Sequence, residues 1–172
     1  EPRPLDPVTL PRRLPPPPES AWPLISIVTP SFQQASFVER TMLSVLEQDY
    51  PRVEYHVCDG GSVDGSVELI RKHEARLASW TSEGDSGPAE AINRGFARSS
   101  GEIMAWLNSD DLLLPGAVRF IADYFARHPE VDVVYGHRLV VDERDWQVGR
   151  WVLPRHDGRM LVPATGGPAP GI

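Results

Sequence analysis

Apolar and polar positions alternate along this chain with two different periods, which predict strands and helices in turn. Short apolar runs bounded by polar turns are typical of buried strands. They occupy residues 24–29, 53–58, 77–81, 103–107, 131–135, 138–141 and 147–152. Segments with apolar residues at helical spacing lie between them. These segments begin near residues 36, 64, 88 and 115.

The alternation of strands and helices predicts βαβ units around a mainly parallel sheet. We therefore predict an α/β fold over residues 24–162, with helices that flank the sheet and a short antiparallel addition near the C-terminus. The antiparallel part is the hairpin formed by the last two predicted strands. Ser36 and Glu39 have the spacing of a capping box, which predicts the start of the first helix.

The two ends of the chain differ from its middle. Residues 1–23 contain nine of the 18 prolines, a composition that is typical of an extended linker or arm. Residues 163–172 are expected to form a loop-like tail. Because the chain begins with Glu1 rather than Met and ends on this tail, we expect a fragment whose domain is incomplete at the C-terminus.

Charge and composition exclude some classes of protein. A net charge of -7 argues against nucleic-acid binding, which requires a basic surface. It permits an anionic substrate, because a bound cation would reverse the sign of the local field. No apolar run approaches the roughly 20 residues of a transmembrane helix. The single cysteine, Cys58, cannot form an internal disulfide.

Polar and acidic residues follow four of the predicted strands. In chain order they are Pro30 and Ser31, then Asp59, then Asp85, then Asn108, Asp110 and Asp111. Ligands of open α/β sheets bind in the crevice outside the carboxyl ends of the strands. Adjacent carboxylates there make a hard oxygen site that suits Mg²⁺ or Mn²⁺ carrying a phosphate. The sequence therefore predicts a metal–diphosphate site.

Structural roles are the alternatives for the same residues. Asp59 and Asp85 each precede a predicted helix and could act as turn or capping carboxylates. Asp110 and Asp111 could form a solvated turn, although a helix cap needs only one acid. Arg94, on the helix after Asp85, is either a phosphate contact or a solvent-facing side chain. The five histidines lack the spacing of metal ligands.

Four segments, in this order, resemble the family 2 glycosyltransferases, which have the GT-A fold. They are IVTPSFQQ at 27–34, VCDGGSVDGS at 57–66, SEGDSGPAEAINRGF at 82–96 and LNSDDLLLPGA at 107–117. The resemblance extends over residues 24–135. The form of these motifs is similar to that of bacterial enzymes that build surface polysaccharides. It implies a GT-A-like, Rossmann-related fold with a mainly parallel sheet.

The resemblance implies that Pro30, Ser31 and Asp59 hold the nucleoside, with Asp59 on the base. It also implies that Asp85 closes over the uridine or guanosine part of the donor.

Asn108-Ser109-Asp110 matches the family's Asp-x-Asp motif. In that motif the first acid usually faces the ribose and the second coordinates the metal. Asp110 is therefore the implied primary ligand for Mg²⁺ or Mn²⁺, whereas the neutral amide of Asn108 weakens any metal contact at its position. Asp111 is then a ribose contact or a support for the metal ligand.

The implied activity is an inverting, metal-assisted transfer of a sugar from a UDP- or GDP-sugar to a hydroxyl of a saccharide or lipid-linked acceptor. The implied location is the cytoplasm, at the inner face of the cytoplasmic membrane for a lipid-linked acceptor. The family's general base has no match here, because Asp157, the nearest acid, has different surroundings. An inactive or truncated nucleotide-sugar-binding module is therefore the alternative.

Two other α/β classes with acids at strand ends fit less well. A sugar nucleotidyltransferase needs a glycine-rich, basic loop after the first strand, but residues 30–34 contain no Gly, Lys or Arg. A phosphoaspartyl receiver domain needs a lysine late in the sheet, but the only lysine, Lys72, is on an early predicted helix.

Overall fold

The computed structural model describes residues 3–4, 22–144 and 146–153. Residues 22–132 belong to one compact unit, and residues 3–4, 133–144 and 146–153 belong to a second. The strands are β1 (Arg3–Pro4), β2 (Ile25–Ser31), β3 (Val53–Asp59), β4 (Ser79–Ser82), β5 (Ile103–Trp106), β6 (Arg138–Val141) and β7 (Trp146–Trp151). The helices are α1 (Val38–Leu46), α2 (Ser66–Lys72), α3 (Pro88–Phe96) and α4 (Ala117–Arg127), with a 3-10 turn at Glu74–Arg76.

The first unit is built on a parallel sheet with the strand order β4-β3-β2-β5. Central strand β2 is buried at every position and pairs with β3 on one side and β5 on the other. Because all four strands run the same way, their carboxyl ends lie along one border of the sheet, which we call the carboxyl edge. The predicted α/β fold with a mainly parallel sheet is confirmed.

Helices cover both faces of this sheet. The larger core lies on the face that carries Ile27 and Val57, which pack with apolar residues of α1, α2 and α4. On the other face, Val28 and Cys58 pack against Ala91 of α3. Close contact with α3 depends on Gly95, since a Cβ there would lie 2.4 Å from a methyl carbon of Val28. The sheet is therefore fixed from both sides, which holds the carboxyl edge in place.

The predicted capping box is wrong, because no side chain caps α1 and the residue before the helix is Phe37. Glu39 instead contacts Lys72 at 2.7 Å and His73 at 2.9 Å, both across from α1. Hydrogen bonds from Lys72 and then His73 hold the pKa of Glu39 below its usual value. The Glu39 carboxylate therefore makes tertiary contacts instead of the helix-capping contact that the local sequence pattern predicts.

The second unit contains an antiparallel sheet with the order β1-β7-β6. The predicted hairpin is confirmed, and its turn is closed by Asp142, whose Oδ1 accepts the backbone N–H groups of Arg144 and Trp146. The predicted strand at 131–135 is wrong, because residues 131–137 have no regular secondary structure. The predicted tail at 163–172 and most of the proline-rich arm at 1–23 lie outside the described residues.

Candidate functional site at the carboxyl edge

The carboxyl edge gathers every residue that the sequence singled out as a candidate ligand. Across the edge, the order of the strands places Asp85 after β4, Asp59 at the end of β3 and Ser31 at the end of β2. Pro30 pairs in register with Cys58, and Ser31 with Asp59. The segment Asn108–Asp111 follows β5 at the other end of the same edge.

Asp59 is buried, at 2% exposure, and both of its carboxylate oxygens are engaged by the protein. Oδ2 accepts the backbone N–H groups of Gly61 at 3.0 Å and Ser62 at 2.8 Å, and the hydroxyl of Ser82 at 2.7 Å. Oδ1 accepts the Ser62 hydroxyl at 2.6 Å. The carboxylate therefore shapes the turn that follows β3 and ties it to β4.

Gly60 lies between an aromatic ring and a carboxylate, and we call this place the Gly60 notch. A Cβ on Gly60 would lie 3.0 Å from Asp85 Oδ2 and 3.3 Å from Cδ2 of Phe32. Phe32 is 60% exposed, so its ring is accessible from solvent. Asp85 Oδ1 accepts the Gly87 N–H at 2.8 Å, whereas Oδ2 has no hydrogen bond within the described part of the chain.

Phe32 is a residue that sequence reasoning did not single out. The signal that could have found it is an aromatic residue placed directly after a buried strand, at the start of a polar loop.

Two loops at the carboxyl edge are locked together by hydrogen bonds. The backbone N–H groups of Gln33 and Gln34 donate to the hydroxyls of Ser62 and Ser66, at 2.8 and 3.0 Å. The N–H of Ala35 donates to Asp64 Oδ2 at 2.9 Å. These contacts take up backbone donors ahead of α1 and hold Gln33 at a φ of 54°, an uncommon value for a side-chain-bearing residue.

Ser31 is buried at 4% exposure, and its hydroxyl has no hydrogen-bond partner among the described residues. Its carbonyl oxygen accepts the Gly60 N–H at 2.8 Å, so Ser31 helps to position the notch through its backbone.

In the segment after β5, the Asp110 carboxylate is exposed to solvent, whereas the Asp111 carboxylate accepts a hydrogen bond from within the segment. The side-chain amide of Asn108 donates a hydrogen bond to Asp111 Oδ2 at 3.1 Å. The backbone N–H of Asp111 donates to the Asn108 carbonyl at 3.0 Å. Ser109 between them is buried, and its carbonyl accepts the Thr41 hydroxyl of α1 at 2.8 Å. Asp110 is exposed and has no hydrogen bond or ion pair in the described ranges.

The donor chemistry at Asp110 fits a divalent cation that shares its ligands with a phosphate. Within residues 22–144 and 146–153 no group of three or more His, Cys, Asp or Glu side chains is assembled that could hold a metal alone. Mg²⁺ is commonly bound through one or two carboxylates together with waters and substrate phosphates. A single uncommitted carboxylate on a backbone fixed by Thr41 meets that requirement.

Two solved structures that were determined in complex with a nucleotide sugar have a similar fold. TarS of S. aureus, solved in complex with UDP-GlcNAc, matches with a TM-score of 0.57 and 21% identity, over 62% of this chain and 32% of TarS. A mannosyltransferase of Pyrobaculum calidifontis, solved with GDP-Man and Mn²⁺, matches with a TM-score of 0.55 and 25% identity, over 80% of this chain and 41% of that enzyme. The fold is therefore of the GT-A type.

The chain belongs to glycosyl transferase family 2, whose model matches residues 26–167. A Mycobacterium tuberculosis relative, the uncharacterized glycosyltransferase Rv1514c, is 40% identical over 90 residues, which are 52% of this chain and 34% of the relative. The putative teichuronic acid biosynthesis glycosyltransferase TuaG of Bacillus subtilis is 36% identical over 92 residues, 52% of this chain and 36% of TuaG. The chain thus spans about a third of the length of these curated relatives.

Proposed function

We propose that this chain forms the donor-binding part of a family 2 enzyme that transfers a sugar from a nucleoside-diphosphate sugar to a hydroxyl acceptor. The observation that carries the proposal is the layout of the carboxyl edge. An exposed aromatic ring and a carboxylate oxygen border the notch at Gly60, and the uncommitted carboxylate of Asp110 lies further along the same edge. The part of the carboxyl edge at Gly60 suits a nucleobase, and the part at Asp110 suits a diphosphate.

The base binds, in this proposal, at the notch beside Gly60. Phe32 provides a ring on which a base stacks, and Asp85 Oδ2 accepts a ring N–H of uracil or guanine. Asp59 acts indirectly, because its oxygens are used by the turn that presents Gly60. The UDP-GlcNAc bound by TarS and the GDP-Man bound by the Pyrobaculum enzyme support a UDP- or GDP-sugar as donor.

The diphosphate lies, in this proposal, at Asp110, with Mg²⁺ or Mn²⁺ as cofactor. Asp110 holds the cation, and Asp111, fixed by the Asn108 amide, faces the ribose. When bound, the cation acts as a Lewis acid that stabilises the negative charge of the leaving diphosphate. The hydrogen bond from the Thr41 hydroxyl to the Ser109 carbonyl ties the segment that carries Asp110 to α1.

Transfer proceeds, in this proposal, with inversion, because the acceptor hydroxyl attacks the anomeric carbon from the face opposite the diphosphate. A general base takes the acceptor proton, a step worth about 10²–10⁴-fold in rate. TuaG and the chondroitin synthase of Escherichia coli, a relative 30% identical over 122 residues, are named for polymeric glycans. We therefore propose a saccharide or lipid-linked acceptor in polysaccharide biosynthesis, and a site at the cytoplasmic face of the membrane.

The described part of the chain includes no helix long and apolar enough to cross a membrane.

A titration with UDP- and GDP-sugars, with and without Mn²⁺, tests the proposal. We expect one class of nucleotide to bind, and we expect Phe32→Ala to weaken that binding by about tenfold, since stacking on an aromatic side chain is worth about 1–3 kcal/mol per base. Phe120→Ala, which removes another partly exposed phenylalanine on α4, is the matched control and should bind normally. A folded protein that binds neither nucleotide contradicts the donor site.

The observation that favours a second candidate, a binding module without transferase activity, is Asn108 in place of an acid. Product formation in the same samples separates the two, because only an enzyme releases UDP or GDP when an acceptor is added.

A further inference from the structure

The loop that carries Asp85, residues 83–87 between β4 and α3, has little intrinsic rigidity. Gly84 has open space where a side chain would begin, and Gly87 has a φ of +124°, a conformation that favours glycine. Glu83, Gly84 and Ser86 are exposed, so no apolar side chain anchors the loop from within. Its conformation must come from contacts with neighbouring elements.

Glu90 and Arg94, one turn apart on α3, hold both chain neighbours of Asp85. Ser86 donates its N–H at 2.9 Å and its hydroxyl at 2.6 Å to Glu90 Oε2. Arg94 Nη2 donates to the Gly84 carbonyl at 3.2 Å and also to Glu90 Oε1. We call this pair the α3 clamp.

The other side of the loop rests on the turn after β3. A Cβ on Gly60 would lie 3.0 Å from Asp85 Oδ2, and a Cβ on Gly61 would lie 3.4 Å from the Gly84 backbone nitrogen. The Glu83 N–H donates to the Asp59 carbonyl at 2.9 Å. The loop therefore lies between the Gly60–Gly61 turn and the α3 clamp, and Asp85 is directed at the notch from between them.

The clamp is ionic under ordinary conditions. Hydrogen bonds from Ser86 and then Arg94 lower the pKa of Glu90 to about 2. A carboxyl whose pKa is lowered in the folded state keeps its charge above that pKa, so the interaction is lost only as the pH falls through about 2. Arg94 Nη1 also lies 4.0 Å from Glu83 Oε2, so the guanidinium interacts with two acidic residues as well as with the Gly84 carbonyl.

We infer that Arg94, acting with Glu90, is a positioning residue for nucleoside recognition, because it holds Asp85 against the Gly60 notch. The inference rests on the proposed function, in which Asp85 accepts a base N–H. Arg94 does not touch the nucleotide in this account. Arg94 affects nucleotide binding only by positioning Asp85, so the effects of changing the two residues on the free energy of binding are coupled.

A double-mutant cycle measures this coupling. We expect Arg94→Met to weaken UDP binding in Mn²⁺ by about tenfold, which lies within the range of coupling between groups in one network. In an Asp85→Asn background the same change should have less than a twofold effect, and Glu90→Gln should behave like Arg94→Met.

Arg127→Met, which breaks a similar i,i+4 pair with Asp123 on α4, should leave binding unchanged. Additive losses from Arg94→Met and Asp85→Asn would overturn the inference, because they would indicate that Arg94 acts on the phosphates or through overall charge.

Hydrogen exchange provides a readout that does not depend on nucleotide. In Arg94→Met the hydrogen-bonded amides of Ser86 and Gly87 should exchange at least tenfold faster, while those of the Gly60–Gly61 turn keep their wild-type rates. Arg94→Lys should restore part of the protection, since a lysine retains the charge opposite Glu90. Unchanged exchange at Ser86 and Gly87 would overturn the clamp even if UDP binds. Faster exchange in a protein that binds no nucleotide would instead reject the donor site and leave the clamp as a loop-ordering device.

Discussion

Replacing Asp110 by alanine should abolish the Mn²⁺-dependent part of nucleotide binding and reduce sugar transfer by about 100-fold or more. Changes in residues that merely support metal ligands typically cost about 10–100-fold, and loss of the ligand itself should cost at least as much. Asp110 is exposed and has no partner within the described ranges, so its removal leaves the fold intact. The measurement is a titration with UDP or GDP, with Mn²⁺ present and after chelation.

Asp132→Ala is the matched control for this experiment, because Asp132 is also an exposed aspartate but follows helix α4 rather than a strand of the parallel sheet. It should bind nucleotide and Mn²⁺ as the wild-type protein does. If Asp110→Ala retains the same gain in affinity from Mn²⁺, Asp110 is not the metal ligand.

Replacing Asp59 by alanine should destabilise the first unit by about 3 kcal/mol, because hydrogen bonds to charged groups are worth about 1.5–3 kcal/mol and buried donors left unpaired carry a further cost. The change removes the acceptor for Gly61, Ser62 and Ser82 in a site that is 2% exposed. Urea unfolding monitored by tryptophan fluorescence measures the loss. Nucleotide binding should weaken as well, since the turn that presents Gly60 is lost.

Ser62→Ala is the graded comparison, because it removes one donor and leaves the Asp59 carboxylate in place. We expect it to cost about 1 kcal/mol, the typical net value of one hydrogen bond. A variant Asp59→Ala with wild-type stability and a selective loss of nucleotide binding would show instead that Asp59 contacts the base directly.

The parallel sheet and the position of its carboxyl edge could be predicted from the sequence because they depend on strong local signals. The runs 24–29 and 103–107 are short and apolar, and they form the paired strands β2 and β5, although Met104 and Trp106 of β5 are exposed. Once the strands are parallel, the residues that follow them must lie along the same edge of the sheet. The location of Asp59, Asp85 and Asp110 on that edge therefore followed from chain order alone.

The remaining features depend on contacts between residues far apart in the chain. The sequence pattern predicts that Glu39 caps a helix, because Ser36 is near in sequence, but Lys72 and His73 contact Glu39 in the fold. Whether the oxygens of Asp59 are free or engaged depends on Ser82 of another strand. A sequence pattern gives the position of a carboxylate along the chain, but only the tertiary structure gives its hydrogen-bond partners.

A crystal structure of the protein with UDP and Mn²⁺, with anomalous scattering data collected at the manganese edge, tests the central claim most directly. We predict an anomalous peak in direct coordination with a carboxylate oxygen of Asp110 and with the diphosphate, and a uracil ring stacked on Phe32 beside Asp85. Manganese bound away from Asp110, or a nucleotide seated elsewhere than the carboxyl edge, would contradict the account.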